Sequence, residues 1–341
     1  MQISPVVQPQ SAVWQQWHQG MLSLGVWTEK RFAHGEDAEP LLLHHWPSRC
    51  GLLAVFDGVG GAGGHAAGRT GGGSERTSAW VSSRCSRAAT EEWFHRTTSE
   101  SLAREPEALK ASLTWWLGQL GGARRSKIVS RMRREFPTTI AALDYRMTDG
   151  GVVWNCLWAG DSRCFLLGPT EGLQQLSVDD TDSKDALELL HQDPPMTNVV
   201  SVDKPFRINS LGGDAPFPCL LLCATDGFFG YLETPAEFEH VLLNTLMQAS
   251  NPAQWGSLVR QAVVSYTGDD ASLSLVALGF GSFDELRERF RPRAEELVRE
   301  HWWPLQQLSD REALVTAREK SWAAYRESYE RRMPRTEEGR Q

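Results

Sequence analysis

The chain has 341 residues, of which 41% are hydrophobic and 23% are charged, and its formal net charge is −8 at pH 7. This length suits one large domain with an extension, or two domains, and the hydrophobic fraction suffices for a core. The excess of acidic residues argues against nucleic-acid binding as the main function, because phosphate backbones are bound mainly by clustered Lys and Arg.

The first residues and the six cysteines indicate in which cellular compartment the protein is expected. Residues 1–20 are polar and glutamine-rich, and residues 1–10 lack the basic start and the apolar stretch of a signal peptide. No run of about 18 apolar residues could span a membrane. The six cysteines form no C-x-x-C pair and lie in apolar contexts, which is typical of buried thiols in a reducing cytosol. We therefore expect a cytoplasmic protein without a membrane partner.

The first part of the chain changes from strand-like to helical composition. Apolar runs predict strands over residues 22–27, 40–46 and 51–56. Nine glycines follow between Gly58 and Gly73, and residues 74–134 are charged and favour helices. The last of these glycines, Gly71-Gly72-Gly73 before Ser74, could cradle a phosphate at a helix N-terminus, but they are interpreted as a connector because the Gly-Lys-Ser/Thr ending of a P-loop is absent.

The middle of the chain contains the clearest β pattern. Four short β-rich runs, separated by glycine-containing turns, cover residues 138–145, 152–159, 163–167 and 173–176. This spacing predicts an antiparallel meander. Further buried strands are predicted over 219–224 and 273–280, with capped helices beginning near Pro235 and Pro252 between them. Because strands and helices do not alternate as regular βαβ units, the order favours an α+β fold with antiparallel sheets covered by helices.

The chain changes character at Ser282, where charged helical sequence begins with a capping box. The last predicted helix places four apolar side chains on one face: Val315, Trp322, Tyr325 and Tyr329. We interpret this face as packed on the preceding domain, with a partner-binding helix as the alternative. The predicted units are a main domain over residues 1–281 and a helical extension over residues 282–341.

Four aspartates at the ends of apolar runs carry the functional prediction. Asp57, Asp161 and Asp226 each follow such a run, Asp269 lies just before one, and each has a neighbouring glycine. A single strand-end aspartate is usually a turn former or a helix cap. Four that met at one point would repel one another, and hard divalent cations are the simplest means of holding them together.

The glycines after Asp57 fit such a site, because a backbone without Cβ atoms lets a carbonyl oxygen approach a cation closely. Mg²⁺ and Mn²⁺ prefer oxygen ligands, and two ions about 4 Å apart can share a water and lower its pKa. That water then acts without a serine or cysteine nucleophile. A phosphate ester suits this chemistry, because the cations also offset the charge of its oxygens.

Five motifs occur together in the chain: Asp57-Gly58-x-Gly60-Gly61, Thr138-Thr139, Gly160-Asp161-Ser162-Arg163, Thr225-Asp226-Gly227 and Asp269-Asp270-Ala271-Ser272. With Glu36-Asp37 before them, they resemble in order and spacing the motifs of the bacterial-type, metal-dependent serine/threonine protein phosphatases (PPM, type 2C). The resemblance spans about residues 22–280. It implies an antiparallel β-sandwich flanked by helices on both faces, a four-layer αββα arrangement, followed here by the C-terminal helical extension.

The resemblance also implies a set of metal ligands, which are Glu36, Asp57, Gly58 through its carbonyl oxygen, Asp161, Asp226 and Asp269. Asp57 would bridge two Mn²⁺ or Mg²⁺ ions. Asp161 together with Asp226 would form a third, weaker site. The remaining ligands would complete the surroundings of the first two ions.

Some positions differ from the family's motifs, and for others the sequence allows two roles. The family's phosphate-binding arginine usually lies a few residues before the Glu-Asp pair, and here Arg31 is one position further out. His65, in the enlarged glycine-rich loop, is a candidate general acid, with a solvated loop histidine as the alternative. Asp37 would lie behind the ligands, and Asp270 stands where the family often has Asn.

Residues 177–216 correspond to a variable, flap-like segment. The acidic run that begins at Asp179 and Asp180 is interpreted as a solvated loop, with a cation-collecting flap as the alternative. Arg163 is expected to pair with a nearby carboxylate rather than with a phosphate group. None of these assignments alone distinguishes an enzyme from a binding protein.

The sequence predicts metal-dependent hydrolysis of phosphoserine and phosphothreonine on proteins, by a water activated between two metal ions. The alternative is a pseudophosphatase scaffold that binds a phosphoprotein or another partner without turnover. A third possibility is a regulatory protein that acts through residues 282–341. The expected partners are a phosphorylated protein substrate and a cognate serine/threonine kinase, with neither nucleic acid nor a membrane.

Overall fold

The structure, a computed structural model, describes residues 13–31, 34–69, 75–99, 104–120, 134–181 and 195–334. Its strands are β1 (Val13–His18), β2 (Met21–Thr28), β3 (Leu41–His45), β4 (Cys50–Val55), β5 (Ala66–Arg69), β6 (Glu75–Thr77), β7 (Ile140–Met147), β8 (Gly151–Ala159), β9 (Arg163–Gly168), β10 (Gly172–Gln175), β11 (Asn209–Pro216), β12 (Cys219–Ala224) and β13 (Ala271–Leu278). Its helices are α1 (Gly60–Gly63), α2 (Ser78–Ser99), α3 (Pro106–Leu120), α4 (Asp226–Phe229), α5 (Pro235–Gln248), α6 (Pro252–Tyr266), α7 (Phe283–Leu297), α8 (Trp303–Gln306) and α9 (Arg311–Tyr329). A π-helical turn, Val298–Trp302, joins α7 to α8.

Two antiparallel sheets form the centre of the fold. Sheet A has the order β1-β2-β13-β12-β9-β10, and sheet B has the order β11-β8-β7-β4-β3. The sheets stack face to face, since side chains from both, such as Val55 and Val276, share one buried core. Strands β4, β12 and β13 are buried along their whole length, because both of their faces are covered.

Helices cover the outer face of each sheet. Trp93 of α2 and Leu113 of α3 lie in the core outside sheet B. Trp255 of α6 and Phe290 of α7 lie in the core outside sheet A. The layers are therefore helices, sheet B, sheet A and helices, which confirms the predicted four-layer αββα sandwich. Within the described part of the chain, no helix combines the length and the apolarity needed to cross a bilayer.

The strands that border the aspartate motifs were predicted to within two residues, and β12 matches its prediction at both ends. Other elements were missed. Residues 209–216, assigned to the flap-like segment, form β11, an edge strand of sheet B paired with β8. Its sequence has few β-favouring residues, and Gly213 is required because a Cβ there would meet the Trp154 ring at 2.4 Å. The glycines at 71–73 lie outside the described residues.

The C-terminal helix α9 packs on sheet A. Trp322, Tyr325 and Tyr329 are 5%, 3% and 1% exposed and belong to the same core as the strands of that sheet. The expectation that this aromatic face packs on the main domain is confirmed. The inclusion of Val315 in the face is wrong, since its side chain is 47% exposed near the start of the helix. A domain boundary at residue 281 stays a prediction.

Removing the Trp322 side chain is expected to destabilise the whole protein, because this side chain fills part of the core outside sheet A. The substitution Trp322→Ala should lower the free energy of unfolding by about 3–5 kcal/mol in urea denaturation. The control Val315→Ala, on the exposed part of the same helix, should change it by less than about 0.5 kcal/mol. Equal small effects of both substitutions would contradict the assignment of α9 to the core.

Candidate metal centre

The backbone around Asp57 is fixed by the neighbouring strand. Asp57 lies two residues beyond the end of β4, and its amide donates to Thr139 Oγ1 at 3.3 Å. Its carbonyl oxygen accepts hydrogen bonds from the Thr139 amide at 2.8 Å and from Thr138 Oγ1 at 2.7 Å. The Thr138-Thr139 pair therefore holds the end of β4 and sets the direction in which the Asp57 carboxylate leaves the backbone.

Asp37 is the first neighbour of that carboxylate. Asp37 is 2% exposed, and its charge raises the pKa of Asp57. Thr225 Oγ1 donates to Asp37 Oδ2 at 2.9 Å. Burial raises the pKa of both groups, and nearby carboxylates raise it further.

Asp270, the residue before β13, contacts the segment that carries Glu36. Asp270 Oδ1 accepts from the Lys30 amide at 2.8 Å, and its Oδ2 accepts from the Glu36 amide at 2.6 Å. Asp270 thus ties the segment after β2 to the start of β13. Its position, noted in the sequence only as an unusual residue of its motif, is explained by these two backbone contacts.

Glu36 lies half-buried beside Asp270. Its Oε1 accepts a hydrogen bond from Thr77 Oγ1 at 2.5 Å. Burial raises the pKa of the Glu36 carboxyl, the hydrogen bond from Thr77 opposes this shift, and the charges of Asp270 and Asp269 add to it. Glu36 therefore experiences the charges of residues more than 230 positions away in the chain.

Electrostatic coupling links all of these carboxylates into one group. Asp161 and Asp269 both raise the pKa of Asp57, and Asp270 and Asp226 both raise the pKa of Asp37. We call this group the acidic cluster; its members are Glu36, Asp37, Asp57, Asp161, Asp226, Asp269 and Asp270. The fold brings together the five acidic residues that the sequence analysis named as metal ligands, and adds two more carboxylates.

The donor set fits hard divalent cations. The cluster offers only oxygen atoms, which Mg²⁺ and Mn²⁺ prefer, and like charges held close together favour a cation. Gly58 has no room for a side chain, since a Cβ would lie 2.6 Å from the Glu36 carbonyl oxygen. Among the described residues, no three His, Cys, Asp or Glu side chains already surround a common point as metal ligands do. The role of each residue as a ligand stays a prediction.

The turn that carries Asp161 is held from two sides. Gly160 has a φ of +103° and lies against Thr139, where a Cβ would come within 2.7 Å of the threonine methyl group. Asp180 Oδ2 accepts from the Gly160 amide at 3.1 Å. Thr139 Oγ1 and Ser162 Oγ are 2.7 Å apart. The positive φ and the close contact with Thr139 therefore require glycine at position 160, and the Asp180 carboxylate holds its amide in place.

Arg163 pairs with a carboxylate, as predicted. Its Nε and one terminal nitrogen donate to the two oxygens of Asp179 at 2.9 and 2.7 Å, and both side chains are buried. The interpretation of Asp179 and Asp180 as part of a solvated loop is wrong, since they are 6% and 7% exposed. The acidic residues that follow them at 182 and 185 lie outside the described residues.

Arg31 and His65 lie at the borders of this region. The Arg31 side chain is exposed, and its neighbour Lys30 contacts Asp270 through the backbone, so Arg31 starts at the edge of the acidic cluster. His65 is half-buried beside the start of α2, where its carbonyl oxygen accepts from the Ser78 amide at 2.9 Å. Its Nδ1 is 3.4 Å from Ser78 Oγ. These contacts place His65 in an ordered loop and leave its proposed role as a general acid untested.

Arg84 is a residue near the cluster that sequence reasoning missed. Its guanidinium donates to the Glu36 and Gly35 carbonyl oxygens, both at 3.2 Å, and lies over the Trp80 ring at 4.2 Å. Burial lowers its pKa to about 10, so it stays charged at neutral pH. Arg84 lies in the middle of α2, and nothing in its local spacing points to the segment that it contacts.

Comparison with solved structures identifies the fold, although no protein-family model and no curated protein matches the sequence. The Mycobacterium tuberculosis serine/threonine phosphatase PstP/Ppp matches at 17% identity and a TM-score of 0.53, covering 76% of this chain and 99% of that chain. Stp1 from Staphylococcus aureus, also a serine/threonine phosphatase, matches at 18% identity and a TM-score of 0.51, covering 74% and 94%. A PstP catalytic domain in complex with 2 manganese ions matches at 17% identity and a TM-score of 0.51, covering 76% and 98%. This chain therefore has the PPM phosphatase fold.

Crowding of the carboxylates predicts how the stability of the metal-free protein depends on pH. Asp37 and Asp57 bind protons more tightly in the folded than in the unfolded state. Their contribution to stability is therefore complete below the ordinary pKa of Asp, about 4, and is lost as the pH rises through the raised folded pKa. In EDTA, Asp57→Asn should make the free energy of unfolding fall less steeply than in the wild type between about pH 5 and pH 8.

Two further measurements complete this prediction. The control Asp149→Asn removes a fully exposed carboxylate and should leave the wild-type pH dependence unchanged. Mn²⁺ should raise the thermal midpoint of the wild type and have a smaller effect on Asp57→Asn. Identical pH profiles for the wild type and Asp57→Asn would show that Asp57 is not under the electrostatic pressure described here.

Proposed function

We propose that this chain is a metal-dependent serine/threonine protein phosphatase of the PPM family. The observation that carries the proposal is the acidic cluster, in which carboxylates from separate segments lie together and raise the pKa of Glu36, Asp37 and Asp57. The fold supports the same activity, since PstP and Stp1 are serine/threonine phosphatases. The substrate class is phosphoserine and phosphothreonine on proteins.

Two Mn²⁺ or Mg²⁺ ions are proposed as the cofactors, which agrees with the 2 manganese ions bound to PstP. Glu36, Asp57, Asp226, Asp269 and the Gly58 carbonyl oxygen would hold them, and Asp161 would take part in a third site. When bound, the ions supply an activated water and offset the charge of the phosphate group.

The residues of the chain have distinct tasks in this proposal. Asp57 has to be ionised when the site is occupied, because a carboxylate ligand binds a cation in its charged form. Asp37 then stays hydrogen-bonded to Thr225 and keeps its neighbours oriented. Arg31, at the edge of the cluster, would bind phosphate oxygens, and His65 would donate a proton to the leaving serine or threonine oxygen.

Loss of either central carboxylate should abolish turnover. Asp57→Asn and Asp226→Asn should each lower the Mn²⁺-dependent hydrolysis of a phosphothreonine peptide by at least about a thousandfold, since several kcal/mol of charge stabilisation is lost. The matched control is Asp149→Asn, which changes the same kind of side chain on the exposed surface and should keep full activity.

Metal titration decides between this proposal and a pseudophosphatase. Calorimetry with Mn²⁺ and an assay with the phosphopeptide are run on the same wild-type sample. Metal binding with no hydrolysis would indicate a scaffold that binds without turnover. Unchanged activity in Asp57→Asn or Asp226→Asn would refute the proposed site, whichever protein substrate is natural.

Substitution of Arg31 tests the phosphate-binding role. Arg31→Ala should raise the KM for the phosphopeptide by about tenfold, equivalent to about 1.4 kcal/mol, with a smaller change in kcat. Lys30→Ala is the matched control, because only the backbone of Lys30 is used to contact the cluster. Equal KM values for the two variants would exclude Arg31 as a phosphate ligand.

A further inference from the structure

The buried Asp180 carboxylate accepts hydrogen bonds from three separate parts of the chain. Its Oδ2 accepts from the Gly160 amide at 3.1 Å, from Asn198 Nδ2 at 2.7 Å and from Asn209 Nδ2 at 2.8 Å. Its Oδ1 accepts from the Arg207 guanidinium at 3.3 Å. One side chain thus joins the turn before Asp161 to residues 198–209.

The backbone of Asp180 contacts the same glycine. Its amide donates to the Gly160 carbonyl oxygen at 3.0 Å, so both polar groups of the Gly160 backbone are bonded to one residue. Gly160 has a φ of +103° and directly precedes Asp161. Asp180 therefore helps to set the direction in which the chain enters Asp161.

The side chains that donate to this carboxylate are held by contacts of their own. Val200, in the same segment, exchanges both backbone hydrogen bonds with Thr138, at 3.0 and 3.1 Å. Asn209 begins β11, which pairs with β8. Asn198 Oδ1 accepts from the Arg207 amide at 3.0 Å, and Asn209 Oδ1 accepts from Arg207 Nε at 2.9 Å. The segment can therefore act as a fixed support for the carboxylate.

An aspartate suits position 180 better than an asparagine would. An ionised carboxylate only accepts hydrogen bonds, and its two oxygens can accept several. An amide group would turn two N–H donors toward some of the donors that surround the site, and a buried donor without an acceptor is costly. Replacement by Asn should therefore loosen the contact with Gly160 while it keeps the size of the side chain.

We propose that Asp180 is a positioning residue for Asp161, because it transfers the position of residues 198–209 to the turn that carries this carboxylate. The inference rests on the proposed function, in which Asp161 takes part in a third metal site. It assigns a role in the geometry of that site to the segment that the sequence analysis described as variable and flap-like. The third site should therefore be the one most sensitive to the loss of Asp180.

The test compares two Asp→Asn substitutions by calorimetric titration of the full chain with Mn²⁺. Asp180→Asn should weaken the weakest binding step by about tenfold, the lower end of the effect seen for residues that orient metal ligands. The matched control is Asp144→Asn in β7, where the side chain is 14% exposed and pairs with Arg104 at 2.8 Å. This control should leave every binding step at the wild-type affinity.

A double-mutant cycle separates positioning of Asp161 from a general loss of stability. Asp161→Asn removes the proposed ligand, so adding Asp180→Asn to it should weaken Mn²⁺ binding no further, since residues that act through one another are not additive. A substitution that only loosened the fold would also weaken the metal sites that remain in the double variant. A further loss of affinity in the double variant, as large as that in Asp180→Asn alone, would overturn the proposal.

A second readout does not depend on metal. Hydrogen–deuterium exchange in EDTA should become faster over residues 158–163 in Asp180→Asn and stay at the wild-type rate there in Asp144→Asn. Unchanged exchange at this turn in Asp180→Asn would contradict the proposed hold on Gly160. If Asp180→Asn does not fold, Asn209→Ala replaces it, because it removes one donor to the carboxylate, and the same two changes are expected at a smaller size.

The positioning role and the proposed function fail in different ways. Wild-type affinity at every step in Asp180→Asn, or a wild-type protein that binds two Mn²⁺ ions and no third, would overturn the positioning role and leave the proposed function intact. A wild-type protein that binds no Mn²⁺ would refute the proposed function and the metal role of Asp180 together. The exchange data would still show in that case whether Asp180 holds the turn.

Discussion

Mutual repulsion of carboxylates held close together is the constraint on which the rest of the structure depends. Burial and the neighbouring carboxylates raise the pKa of Glu36, Asp37 and Asp57. Such an arrangement persists only when other contacts hold each backbone segment in place. Here the hydroxyls of Thr139 and Thr225 and the backbone contacts of Asp270 perform that task. The binding of a cation would convert this repulsion into attraction.

The two-sheet architecture explains how such distant segments meet. Strands β4 and β12 lie in different sheets, yet Asp57 and Asp226 follow their ends on the same side of the sandwich. The fully buried strands supply the free energy that offsets the crowding, through apolar surface removed from water. The repelling carboxylates Asp57 and Asp226 therefore follow two strands, β4 and β12, that are buried along their whole length.

Features that depend on neighbouring residues in the sequence could be predicted, whereas features that depend on contacts between distant segments could not. Strand β12 ends at Ala224, and both ends were predicted because a continuous apolar run stops at Thr225-Asp226. The four-layer fold came from the resemblance of the ordered motifs to one family. Strand β11 was missed because its sequence is poor in β-favouring residues, and only pairing with β8 makes it a strand. Asp179 was assigned to solvent because its partner, Arg163, becomes a neighbour only through the fold.

The C-terminal helix is held on sheet A by polar contacts as well as by apolar packing. The similarity to PstP covers 76% of this chain, so part of this chain has no counterpart there. Helix α9 contributes Trp322, Tyr325 and Tyr329 to the core outside sheet A. The two buried tyrosine hydroxyls also have partners outside the helix, since Tyr325 donates to Glu239 and Tyr329 donates to Gln175 Oε1 at 2.7 Å. Because a buried hydroxyl is costly without a partner, these two contacts specify how the helix docks on sheet A in a way that apolar burial alone would not.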